Sequence, residues 1–496
     1  MTSVHGLSAL IPNDKNMELR QMVDAEIDST KKSIQTLQNR LFDLYEAWNS
    51  TSVIQSVLTD DILAEIFLFA SQDHGSMPFV LGSVCRAWRK LAWQTPRLWQ
   101  CLFVTFSHQN EDIQEKVVED WIARSGSLPL ELHISFQDGH IPSLEHVRPL
   151  LAASPRWKTL HIGPGTFESL RHECARLECE FPLLCSVHLE EDTMAEGPPW
   201  NFLSSPISDL TITGNNGIWN LFRWDNLQTF VGHKFDVAHC LSALKAIASE
   251  SSRCQSCTLS LIGSGDIASN TDDEPFVLSQ LQNLHIEVDA SVAPQLDPED
   301  IDLSRLFESI EAPALTTLEM ALACVDVVFA SHIVNMVKQS NCPLSELVID
   351  LPNITEDDLL VTLRQLPSLS SLSYTSFFQH FIFTDETMIF LNPELPSHHS
   401  ANCLPNLTQF KYAGPIDFEP QYMIDMLKSR IHHAESKVAA YPPLKKLLSF
   451  KIGYCNKDWA QDQDPNKIRD FHQAVTVLRA QGPDIEISWG KQYEHR

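Results

Sequence analysis

Apolar and polar positions alternate with three different rhythms along this chain, and each rhythm predicts a different kind of structure. From Asn16 to Trp48 the apolar stripe steps by four and three: Val23, Ile27, Thr30, Ile34, Leu37, Leu41, Leu44, Trp48. Only Thr30 interrupts the apolar series, and neither Pro nor Gly breaks the stretch. This predicts one helical segment over residues 16–50, behind a tail over residues 1–15 expected to be disordered. About three and a half heptads suit a short coiled coil, which would give a homodimer through residues 16–48. Folding back on the following segment, or pairing with an internal partner, is the alternative. A mostly polar hinge, Ser50 to Ser56, follows.

The second rhythm occupies residues 53–101. Leu58, Ile62, Leu63, Ile66, Phe67 and Ala70 lie at helical spacing, as do Val80, Val84, Trp88 and Leu91 with Leu81 and Cys85 alongside. Two short amphipathic helices are expected, the second stopped by Gln94-Thr-Pro-Arg-Leu-Trp99. Thr59 is placed to cap the first, with Asp60 and Asp61 favourable at the positive end of its dipole. Helices this short leave apolar surface over for something else to cover.

From residue 102 to 490 the pattern changes again. Segments of the form L-x-x-L-x-[IVL] recur, often after a Pro, with their second apolar positions at 132, 160, 187, 210, 259, 284, 318, 347, 372, 410 and 447; Phe230 fits between 210 and 259. Helical patterns lie between them, at Ile113–Trp121, Phe167–Leu177, Val237–Ala248, Leu359–Leu366 behind a Thr355 cap, Ile424–Ile431 behind Pro420, and Ile468–Leu478 between Pro465 and Gly482. A last strand is expected at Ile485–Trp489. Strand–helix alternation at such a period predicts a parallel-sheet solenoid; a closed α/β fold is the alternative. The acidic stretches at 270–275 and 297–302 read as loops between repeats.

Two of these regions resemble known families. Leu58, Ile62, Leu63, Ile66 and Phe67, then Val84-Cys85-Arg86, Trp88-Arg89 and Leu91-Ala92, follow the F-box pattern L-P-x-E-I-L-x-x-I-F … V-C-R-x-W-R-x-L-A. The continuation Thr95-Pro-Arg-Leu-Trp99 is similar to the form common in fungal F-box-like proteins. Thr59 stands where the family has Pro, and Asp61 where it has Glu. The region from 102 to 490 resembles degenerate leucine-rich repeats, with the usual Asn/Cys position mostly missing. The fold class expected is therefore a coiled-coil helix and a small helical F-box ahead of an α/β repeat solenoid. The resemblance implies a non-catalytic substrate receptor of a cullin–RING ubiquitin ligase, docking on a Skp-type adaptor and through it a cullin. Docking and bracing positions would be Leu58, Ile62, Leu63, Ile66, Phe67, Val84, Cys85, Arg86, Trp88 and Trp99, with Trp88 a brace. The repeats would hold a target protein. The alternative is a scaffold outside the ligase, held together by the coiled coil.

Charge refines the picture of partners. The chain of 496 residues has a net charge of −28. Residues 1–52 carry five basic against seven acidic groups and residues 53–100 four against four, so nearly all the excess lies in the repeats. Such a surface repels phosphate backbones, which argues against nucleic acid. It would attract a basic protein segment, and it equally keeps a large protein dispersed. There is no run of apolar residues long enough to span a membrane and no secretory leader pattern, and the scattered cysteines fit reduced thiols, so a cytoplasmic or nuclear protein is expected.

Motifs for bond chemistry are absent: there is no P-loop, dinucleotide fingerprint or nucleophile elbow, and no cofactor is expected. Cys254-Gln-Ser-Cys257 is a single CxxC near His233, His239 and Cys240. Buried thiols explain it better than zinc, which would need a second pair, so no metal is assigned. One pattern is less ordinary. His133, His161, His188 and His285 occupy one strand position, next to the core apolars and so on the opposite face. The first three fall on consecutive repeats and would stack at about 4.8 Å intervals. Glu131, Glu190 and Glu287 would share that face and raise the imidazole pKa values. The stripe reads either as a pH-sensitive target contact or as polar decoration repeated with the unit.

Overall fold

The structure, a computed structural model, describes residues 13–52, 54, 57–71, 76–137, 142–190, 205–214, 224–248, 252–263, 275–288, 303–322, 329–350, 354–375, 383–394, 404–432, 444–454 and 465–489. Most of the N-terminal tail and the acidic stretches at 270–274 and 297–302 lie outside them. The chain divides into two compact units, Met1–Phe103 with Glu119–Leu128, and Val104–Val118 with Pro129–Arg496. The return of residues 119–128 to the first unit was not expected from the sequence.

The first unit begins with α1 (Asn13–Ser50), one uninterrupted helix of 38 residues. Three short helices follow: α2 (Asp60–Ala70), α3 (Met77–Val84) and α4 (Arg86–Gln94), then a 3-10 turn at Pro96–Trp99. The second expected helix is thus two. The break is Cys85, which is fully extended (φ −159°, ψ 169°) and caps α4 by accepting the Trp88 amide on Sγ at 3.4 Å. Thr59 takes the extended N-cap conformation ahead of α2, yet its side chain makes no capping bond. Asp60 and Asp61 complement the dipole as expected.

Leu63, Phe67, Leu81, Ala92, Leu98 and Trp99 form the core of this unit. Trp99 is its hub. Edge-on contacts reach it from Phe79 (5.6 Å), Trp93 (5.4 Å) and Trp121 (4.7 Å), and its indole N–H donates to the Ala92 carbonyl at 2.9 Å. Arg124 lies over both Trp93 and Trp99, at 5.0 and 5.1 Å from the ring centres. Trp121 and Arg124 sit at the end of α5 (Glu111–Arg124), which explains why that stretch belongs to this unit. Gly82 is required by close approach, because a Cβ there would meet the Trp93 ring at 2.1 Å.

The second unit is built on a fourteen-stranded sheet whose strands follow one another in sequence order. They are β1 (Cys101–Phe106), β2 (Leu130–Phe136), β3 (Trp157–Ile162), β4 (Ser186–Glu190), β5 (Asp209–Thr213), β6 (Thr229–Asp236) and β7 (Ser256–Gly263), then β8 (Asn283–Val288), β9 (Thr317–Ala321), β10 (Glu346–Asp350), β11 (Ser371–Thr375), β12 (Gln409–Ala413), β13 (Ser449–Tyr454) and β14 (Asp484–Trp489). The register from β2 to β14 is parallel throughout. It aligns Leu132, Leu160, Val187, Leu210, Phe230, Cys257, Leu284, Leu318, Leu347, Leu372, Phe410, Phe450 and Ile485 in one buried row. An α/β parallel sheet was expected. Two of its aligned positions were not: Cys257 replaces 259, and Phe450 replaces 447.

A second thread joins the repeats at the turn into each strand. From Ser208 to Leu448, through Gln228, Gln255, Gln282, Thr316, Ser345, Ser370 and Thr408, each amide donates to the carbonyl of the equivalent residue one repeat earlier, at 2.7–2.9 Å; in the last repeat Pro483 holds that position and the Asp484 amide reaches the Leu448 carbonyl instead. The hydroxyls of Ser208, Thr316, Ser345, Ser370 and Thr408 donate to the same carbonyls at 3.0–3.2 Å. These bonds pair the backbone groups of half-buried and exposed turns with the neighbouring repeat rather than with water.

Helices fill the intervals. Those expected at Phe167–Arg176, Val237–Ile247, Glu356–Leu363, Pro420–His432 and Pro465–Arg479 are present, and Leu144–Ala152, Ser304–Ser309, Phe329–Ser340 and Asp385–Leu391 add to them. Thr355 caps its helix, accepting the Asp358 amide at 3.1 Å. Glu356, in the first turn of that helix, reaches the next repeat. Its carboxylate accepts from the amides of Thr384 (3.0 Å) and Thr387 (3.2 Å) and from both threonine hydroxyls, so it caps the helix at Asp385–Leu391.

Candidate interaction surfaces

Helix α2 splits its motif positions into two sets. Leu63 and Phe67 point into the core, with Phe67 packed on Trp88 at 4.8 Å between ring centres. Ile62, Ile66 and Phe69, at i, i+4 and i+7, stay exposed at 51, 47 and 77%. On α3, Val80 and Val84 are likewise exposed. Arg86 is exposed and pairs with Glu46 of α1. Leu58, Cys85 and Trp88 are half-buried and Trp99 is fully buried. Of the ten positions singled out from sequence, Ile62, Ile66, Val84 and Arg86 are therefore available to a partner, while Leu63, Phe67 and Trp99 are bracing residues. Phe69 and Val80 were missed. An exposed aromatic two positions beyond the motif was the signal that could have found the first.

The sheet has one buried face and one open face, and the register fixes what the open face displays. His133, His161 and His188 are directly paired across β2, β3 and β4. Their rings stack face to face, 3.9 Å apart at 10° and 4.2 Å apart at 22°. His285 is in the same row but apart from the stack, separated from His188 by Thr211, Val231 and Thr258, and its two ring nitrogens face Glu287 (3.2 Å) and Glu319 (3.1 Å). His133 Nε2 meets Glu131 at 3.1 Å. Glu190 lies one row away on β4 and is exposed.

The expected upward pKa shift is overturned for two of the stacked rings. Burial, then the neighbouring imidazoles of His133 and His188, pull His161 down to about 4 against the opposing pull of Glu131. His188 is lowered too, by burial first and then by His133 and His233, against Asp209 and Glu190. A proton on a sandwiched ring loses water and faces two other imidazoles, and the carboxylates are too exposed to compensate. Farther along the same row, Lys411 and Lys451 adjoin, and Lys451 pairs with Asp484 (3.0 Å) and Glu486 (3.4 Å), which raise its pKa.

The CxxC pair has a structural explanation. Cys254 and Cys257 occupy the two leading positions of L-x-x-L in their repeat, three residues apart like Leu281 and Leu284 in the next, and both are buried. Burial pushes the Cys254 thiol up to about 12 and raises Cys257 and Cys240 well above the ordinary range. These sulfurs behave as small core hydrophobes. A cluster that sequence did not suggest lies at His146, whose ring faces Glu111 (3.5 Å), Asp112 (3.2 Å) and Glu115 (3.8 Å). It ties the helix at Leu144–Ala152 to the start of α5.

Among the described residues, no helix is long and apolar enough to cross a membrane. No family model matches the sequence, and no curated protein matches it closely enough to count.

Proposed function

We propose that the protein is a target-recognition subunit of a cullin–RING ubiquitin ligase, with α2–α4 docking on a Skp-type adaptor and the open face of the repeat sheet holding a target protein. The supporting observation is the division of the F-box-like positions on α2. Leu63 and Phe67 anchor the helix from inside, and Ile62, Ile66 and Phe69 form an apolar ridge that stays 47–77% exposed among the described residues. A surface ridge of large apolar side chains on a rigid helical unit marks a protein contact. The protein does no bond chemistry in this reading: it raises the concentration of the target beside the conjugating enzyme. The open face, whose rows are largely Ser, Thr, His and acidic residues, suits a polar or basic partner segment better than an apolar one.

The test is Ile62→Asp combined with Ile66→Asp. Both sites are exposed, so the variant keeps the wild-type melting temperature and loses co-purification of the adaptor. Retained adaptor binding overturns the docking assignment. Phe67→Asp would be uninformative, since it places a charge in the core.

A further inference from the structure

Helix α1 has two faces with different uses. In heptad letters, Ile27, Ile34, Leu41 and Trp48 are a and Val23, Thr30, Leu37 and Leu44 are d. Its contacts within the chain come from the other side. Phe42 (b), Tyr45 (e), Glu46 (f) and Asn49 (b) line a cleft of about 560 Å³ against Val84 and Arg86, and Glu46 pairs with Arg86. The apolar a and d residues stay 45–78% exposed. What α1 shares with the rest of its unit lies on this side, and the seam is left exposed.

Composition and charge decide what fits that seam. Two of the four apolar a residues, Ile27 and Ile34, are β-branched and two of the d residues, Leu37 and Leu44, are leucine, the combination that favours two parallel strands, whereas Leu41 and Trp48 at a do not contribute to it. Thr30, at a d position, pairs with itself only when two copies lie parallel and in register. The flanks agree. Glu26 (g) and Lys31 (e) are five residues apart, the spacing at which g of one strand meets e of the other in a parallel pair. The ion pair forms twice, and the remaining flank pairs within the helix, Leu19 with Asp24, Ser33 with Gln38 and Arg40 with Tyr45, carry no like charges. In an antiparallel pair with the seam fully overlapped, Glu26 and Lys31 would face Ala47 and Gln38, and the ion pairs vanish.

We infer that α1 forms a parallel, in-register, two-stranded coiled coil with a second copy of this chain. Parallel pairing brings both copies' Ser50 ends together, so a dimer carries its two α2–α4 units at the same end. The inference stands whether or not α2 docks on an adaptor.

Light scattering on the full chain at micromolar concentration should give twice the chain mass. Ile34→Asp with Leu37→Asp should give the single-chain mass with the melting behaviour of the rest unchanged, since both sites are exposed. Glu26→Lys alone and Lys31→Glu alone should each weaken association roughly tenfold. An equimolar mixture of the two should restore it as a heterodimer. Leu37→Cys should cross-link across the seam under mild oxidation, where the wild type does not. A single-chain mass for the wild type, or a dimer that survives the double aspartate change, overturns the inference. A dimer indifferent to both charge reversals and uncrosslinked through Leu37→Cys overturns the parallel orientation.

Discussion

In the first unit, Phe79, Trp93 and Trp121 converge on Trp99 and Arg124 caps the group, so one indole gathers α3, α4 and the end of α5. In the second, no side chain among the described residues has that rank. Its buried row from Leu132 to Ile485 and its thread of amides from Cys185 to Asp484 give each repeat the same two kinds of bond to its neighbours. A hub makes a small unit stable at the risk of losing everything with one residue. A ladder spreads the risk and lets damage stay local, the behaviour expected of a nearly one-dimensional array.

Substitution of the hub gives the largest expected effect. Trp99→Ala should cost about 3–5 kcal/mol and abolish hydrogen-exchange protection through α2–α4, leaving strands β6 to β14 protected. Leu347→Ala removes a similar core side chain from the ladder and should cost about 2–5 kcal/mol, with protection lost chiefly in β9, β10 and β11. If Leu347→Ala instead strips protection from the whole sheet, the contrast between hub and ladder is wrong. Next comes the bond between neighbouring repeats: Glu356→Ala leaves the Thr384 and Thr387 amides to water and should cost about 1–3 kcal/mol by denaturant titration.

A smaller effect concerns pH. His161 titrates lower in the folded protein than in the unfolded chain, so the unfolded state takes up the proton first. Stability contributed by the neutral ring is complete above pH 6.5 and is lost as pH falls from about 6.5 towards 4. The loss should be about 1 kcal/mol, because the rings are only half buried and water screens part of it. Melting curves between pH 7 and 4 should fall more steeply for the wild type than for His161→Gln; parallel curves would show that the stack does not titrate with folding. The smallest effect lies in the first unit. Thr59 has φ −72° and makes no capping bond, so Thr59→Pro should leave stability unchanged or raise it by about 0.4–1 kcal/mol in a thermal melt.

Strand positions were legible because each repeat states its core twice, as L-x-x-L-x-[IVL], and the buried face tolerates little else. Reading slipped where another residue type stood in for leucine. At Cys257 a thiol fills the second leucine site, and near Phe450 an extra leucine, Leu447, offered a false one. The break at Cys85 was hidden because Val80, Val84, Trp88 and Leu91 keep helical spacing straight through it. Residues 119–128 could not be assigned to the first unit from sequence, since Trp121 looks like any buried helix residue until its partner is known. Side-chain facing of the histidines followed from strand alternation alone. The direction of their titration did not, because it depends on ring-to-ring distance and burial, which only three-dimensional register supplies.

The shared register has a further consequence for how such a molecule can change. Adjacent core positions are separated by as few as 20 residues, Leu210 to Phe230, and as many as 40, Phe410 to Phe450, yet each pair occupies neighbouring strands. Every step along the sheet is about 4.8 Å whatever the chain does in between. Residues can be gained or lost between strands without moving the stacked imidazoles of His133–His188 relative to Lys451, eleven strands from β2 and so about 50 Å along the sheet. The sheet acts as a ruler whose graduations are independent of the length of thread wound around it, so the spacing of its display can stay constant while the loops diversify.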